Sequence, residues 1–142
     1  MAIANLHETL LTYTLRKNAL TVEITNLQSQ KTLAVYSQAD SRSIKAQDEE
    51  EVRNYFRALY DEDPEYQGKY KDYTQIPDFE AEMDKIAAKY NDELAELTAW
   101  ETALDAQITT DSAELEEINA YMESMKSMLS SNIQGDLDYS LS

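Results

Sequence analysis

The residues most apt for chemistry in this chain of 142 are few and scattered. His7 is the single histidine, in the run His7-Glu8-Thr9. A helical zinc-protease motif needs a second histidine four positions on, and a Ser-His-acid triad would have to use this same histidine near a fraying chain end, so a surface role is expected for it. The order D-P-E-Y-Q-G from Asp63 to Gly68 begins like a calcium loop. It departs from one at Lys69, Lys71 and Thr74, the last standing where a bidentate glutamate is required. The Glu-x-x-His element of di-iron bundles is missing, and two glycines cannot build a phosphate-cradling loop. With no cysteine there is no thiolate ligand and no disulfide. These residues predict no catalytic centre, no metal site and no cofactor: the chain is expected not to be an enzyme.

Charge narrows the partners. The formal net charge is −16, with five Lys or Arg against three acids over residues 1–46 and seven against twenty-five over 47–142. That field repels a phosphate backbone, so nucleic acid is not an expected partner. No run approaches the ~18 apolar residues of a membrane span. The start MAIANLHETLLTYTL lacks the basic end and cleavage site of a secretory signal, which points to the cytoplasm or to export without a cleavable signal peptide.

Such residues must be carried on helices. Two glycines and two prolines leave little turn material, while Ala, Leu, Glu and Gln are plentiful, so the fold class is all-α. Steps of three and four from Ile3 trace one apolar seam to Ala34, broken by Lys17 and Lys31, and the frame reappears at Val52, Tyr55 and Leu59. The persistent frame suits one long helix or two nearly collinear ones; Ser41, Ser43 and Asp48 offer cap chemistry, with Asp48 and Glu51 spaced as a capping box, so of the two a break or kink over 38–48 is expected. A second seam runs from Met83 to Leu129 without a phase error, entered through Pro77 and ended by Gly135. The reading is one helical domain over 1–142: helices at about 2–38, 48–61 and 78–134, a connection at 62–77 and a short tail at 135–142. Tyr60, Tyr66, Tyr70 and Tyr73 in and beside the connection are expected to cap one end of the hairpin, the alternative being a sticky tip for a partner.

The two runs suit a long antiparallel hairpin or coiled coil. Pairing residues whose numbers sum to 142 sets Leu20 opposite Met122, Val52 opposite Tyr90 and Lys31 opposite Asp111. The Lys31–Asp111 pair is expected to fix the register.

A two-helix coil buries one stripe per helix, and here there is more to bury. Leu11, Leu15 and Val22 lie off the first seam on a common second face, and Tyr121 and Met128 lie off the second, beside Met122 and Met125 within it. Methionine fits uneven contact surfaces because its chain is unbranched and polarizable. These seven residues form the expected assembly surface. It is covered by fold-back into a small bundle, by another copy of the chain, or by a partner helix. The functional expectation is a structural or scaffolding subunit that self-assembles through its terminal halves into a closed oligomer or filament. The alternative is an acidic helical adaptor or chaperone-like module that binds an apolar partner helix. The organisation resembles the helical-hairpin needle and filament subunits of flagellar and type III secretion systems, whose chain ends pair as coiled helices in the filament core. The terminal sequences of flagellin are not reproduced in MAIANLHETL or IQGDLDYSLS. The resemblance implies architecture and no residue roles.

Overall fold

Both prolines mark where the chain changes direction. The proline ring crowds the residue before it out of the helical region, and Asp63 and Ile76 are accordingly extended. Between and around them the computed structural model, which describes residues 3–141 and side chains as far as Gly135, forms α1 (Ile3–Glu62), α2 (Pro64–Lys69), a single 3-10 turn (Tyr73–Gln75) and α3 (Pro77–Leu141). No strand occurs among the described residues. Helices α1 and α3 pack antiparallel as an all-α hairpin. Pro77 stands in the first turn of α3, where its missing N–H is not needed, and Asp78 and Glu80 complement the positive end of the dipole.

Two compact units can be distinguished. The first joins α1 through Lys31 to α3 from Ala103 onward. Its core is Leu20, Ile118 and Met122, with Leu10, Tyr13 and Leu115 packed against them. Leu6 and Leu20 are fully buried. Each such leucine contributes about 1.5–3 kcal/mol by leaving water. The tilted rings of Tyr13 and Tyr121, 5.8 Å apart, close one side.

The second unit, Thr32–Thr102, holds the tip and a polar stretch of the seam. The expected break at 38–48 does not occur: α1 runs through it. Gln38 and Ser41 are buried on the inner face, which follows from the same three-and-four spacing. Gln38 Nε2 donates to Glu101 Oε2 at 2.7 Å, and Asp48 Oδ2 accepts from the Tyr90 hydroxyl at 2.5 Å. A partner on the other helix thus employs Asp48, a side chain that would otherwise cap a new start. Ser41 Oγ is buried without a hydrogen-bond partner. Further on, Phe56 is the buried residue, and Tyr55, expected on the seam, is exposed.

The connection is ordered by short-range ties. Asp63 caps α2 by accepting from the Glu65 N–H at 2.9 Å, and Asp72 caps the 3-10 turn by accepting from the Thr74 N–H at 2.8 Å and from its hydroxyl. Gln67 Nε2 donates to the carbonyls of Tyr60 and Asp61, two of the last acceptors of α1 left without helical partners. The Tyr60 hydroxyl reaches the carbonyls of Tyr70 and Lys71. Beneath lie Phe56 and Phe79, edge to face at 5.5 Å, with Tyr73 against Phe79 at 5.4 Å and Ile76 buried. The tyrosine cap therefore has a phenylalanine centre. Where Gly135 was expected to end the last helix, α3 continues to Leu141. Of the expected limits, residue 2 and residue 142 lie outside the described residues.

Candidate functional site

In the first unit α1 is apolar on two opposite faces. Leu20 points inward, and at 100° per residue Leu11, Leu15 and Val22 stand roughly diametrically across the helix. They are 55%, 62% and 60% exposed. Asn18 and Thr25 continue this outer stripe and are exposed too.

The threonines extend its apolar character. Hydroxyls of Thr14, Thr21 and Thr25, on the outer side of α1, donate to the carbonyl four residues earlier, at 2.8–2.9 Å. A threonine bonded to its own helix has its donor occupied, and its methyl is the group free for contact. From Thr9 to Val22 there is no acid, in a protein with twenty-eight.

A second apolar strip lies on α3. Tyr121 and Met128, seven residues apart, are both exposed and share a flank with Glu114. Glu114 accepts both arms of a fork from Arg16, Nε to Oε1 at 2.9 Å and a terminal nitrogen to Oε2 at 3.0 Å. The Tyr121 hydroxyl donates to Glu117 at 3.0 Å, and that bond pushes its pKa above the ordinary value. Ile133, also exposed, is an apolar residue that counting along the seam did not single out.

The seven residues expected at the surface thus divide. Leu11, Leu15, Val22, Tyr121 and Met128 are exposed; Met125 is half-buried. Met122 is 6% exposed and belongs to the core with Leu20. Of the expected register pair, Lys31 reaches a different carboxylate. Lys31 Nζ lies 2.7 Å from Asp105 Oδ1, while Asp111 is buried, accepts from Gln107 Nε2 at 2.9 Å and has its second oxygen unpartnered.

The second unit exposes Leu33, Tyr36, Tyr55 and Trp100. It also contains an open groove of about 520 Å³ between α1 and α3, in which Val52, Phe56 and Ile86 are bordered by Asp48, Glu51, Asp78 and Glu82. No nucleophile with an adjacent base lines it. His7 is exposed, in the first unit. Among the described residues no three His, Asp or Glu side chains are grouped to hold a metal ion, and no helix is long and apolar enough to cross a membrane. Asp63, first in the calcium-like order, accepts a backbone hydrogen bond instead. Compared with protein-family models, with characterised proteins and with solved structures, the chain matches none.

Proposed function

We propose that this protein is a structural or scaffolding subunit that acts by helix-mediated self-assembly, with the terminal parts of its two long helices as the contact surface. One observation carries the reading: Leu11, Leu15 and Val22 project from the face of α1 opposite its own core, where no part of the same unit covers them. Clustered apolar side chains favour association, since covering them releases water from each side, and that gain works against the mutual repulsion of chains each carrying −16. In this reading the protein is not a catalyst, and its partner is another copy of itself rather than nucleic acid.

Gel filtration with light scattering over a concentration series, followed by negative-stain electron microscopy, tests the proposal. The expected result is a mass above that of one chain, rising with concentration, and regular particles or fibres. Leu15→Asp should weaken association by at least about tenfold, because it buries a charge in the contact. A single-chain mass throughout, unaltered by Leu15→Asp, overturns it.

A second reading is favoured by Met125 and Met128, adaptable side chains left partly open on α3. In it the protein is an acidic adaptor for an apolar partner helix. Such an adaptor stays at single-chain mass until a partner helix is added.

A further inference from the structure

We infer that copies of this chain join heterologously: the outer α1 stripe of one copy, through Leu15 and Val22, seats on the α3 flank of the next, at Tyr121 and Met128. The inference rests on the self-assembly reading and specifies its geometry.

Three observations in the first unit carry it. The two exposed strips are on different elements and face different ways, since the α1 stripe points away from Leu20 whereas Tyr121 leans on Tyr13 beside the inner seam. A self-complementary contact through α1 alone would leave Tyr121 and Met128 wet, and one through α3 alone would leave Leu11, Leu15 and Val22 wet. A heterologous contact covers both strips of every interior copy.

The spacing also agrees. Leu15 and Val22 are seven residues apart, as are Tyr121 and Met128, so each pair puts its side chains two turns, roughly 10 Å, apart on one side of its helix. Side chains at one interval can enter the gaps of a strip with the same interval.

Charge selects between the pairings. From residue 3 to 31, α1 carries three Lys or Arg against two acids; from 103 to 135, α3 carries one lysine against six acids. Glu117, bonded to Tyr121, borders the α3 strip. Arg16 and Lys31 are already paired within the chain, to Glu114 and Asp105, so the α1 stripe is a nearly neutral surface; two α3 flanks brought together oppose acid with acid, whereas α3 against the α1 stripe of a neighbour does so far less. A contact between two different surfaces leaves one of each kind free at the ends, so growth continues as a ring or an open filament and does not stop at two.

Complementation between two variants is the test. One variant carries Leu15→Glu and Val22→Glu and retains its α3 flank; the other carries Met128→Glu and retains its α1 stripe. All altered positions are exposed, and far-UV circular dichroism checks that helicity is kept; Met128→Lys serves if Met128→Glu loses it. Light scattering should find each variant alone at single-chain mass, and an equimolar mixture forming a one-to-one dimer that grows no further. If the Met128 variant alone still assembles like the unaltered chain, the contact is α1 on α1 and the inference fails. It fails too if the mixture stays monomeric. If the unaltered chain is itself monomeric at every concentration, the self-assembly reading falls first and takes this geometry with it.

Discussion

Lys31 Nζ and Asp105 Oδ1 are 2.7 Å apart across the hairpin, six residues earlier on α3 than the carboxylate predicted to receive the lysine. Both side chains are about half exposed, 40% and 50%, so water competes for each. A double-mutant cycle of Lys31→Ala and Asp105→Ala should give a coupling of about 0.2–1 kcal/mol, falling as salt is added. The same cycle with Asp111→Ala in place of Asp105→Ala should give clearly less. Larger coupling to Asp111 would contradict the Lys31–Asp105 contact.

The hydrogen bond from Gln38 to Glu101 has a different weight, because Gln38 is buried and its acceptor is charged. Gln38→Leu leaves the carboxylate facing an apolar neighbour and should cost about 1–2 kcal/mol in urea unfolding. Adding Glu101→Leu should recover that loss or exceed it, since two apolar groups replace a pair that was costly to desolvate. If the double variant is less stable than Gln38→Leu alone, the polar layer contributes net stability.

Tyr90 makes the fold sensitive to alkali. Its hydrogen bond to the Asp48 carboxylate, with burial and the nearby negative charge, pushes the phenol up to about 12 from 10.0. The folded state thus favours the neutral phenol. That stabilisation is complete below pH 10 and is lost as pH rises through 12. The thermal midpoint of the unaltered protein should fall over this window more steeply than that of Tyr90→Phe. Parallel curves for the two proteins would show that the phenol is not linked to folding.

Gly135 lies inside α3 with open space where a Cβ would be, and no glycine among the described residues has a positive φ. Alanine there should therefore stabilise the helix by about 0.5–1 kcal/mol and increase helicity. Were Gly135 a left-handed stop, as its place after Gln134 suggested, alanine would destabilise instead. Circular dichroism and thermal melts of Gly135→Ala separate the two.

The seam of α3 could be read residue by residue from Met83 to Leu129 because its apolar positions never change phase. The outer stripe of α1 was legible for the same reason, since Leu11, Leu15 and Val22 share a spacing that excludes them from the inner seam. What misled was local chemistry with distant partners. Ser41 and Asp48 are good cap residues by type, but Tyr90, which engages Asp48, is forty-two positions away, and no short window contains both. The choice of Phe56 over Tyr55 is made by Phe79, across the tip. Heptad counting treats every side chain as equally long, whereas Lys31 reaches Asp105 and Tyr90 reaches Asp48. Met122 was recognised as part of a sticky segment, but the fit of Leu20 and Ile118 draws it into the core.

The ties that close the tip have a kinetic consequence. Arg57 to Tyr73 and Tyr60 to Lys71 span sixteen and eleven residues, whereas Arg16 to Glu114 spans ninety-eight. Closing a short loop loses less chain entropy than closing a long one, so the tip is the favoured place for the two arms to meet first. Folding would then run like a zipper drawn from the bend toward the chain ends, and the Leu15 and Tyr121 surfaces would take shape last.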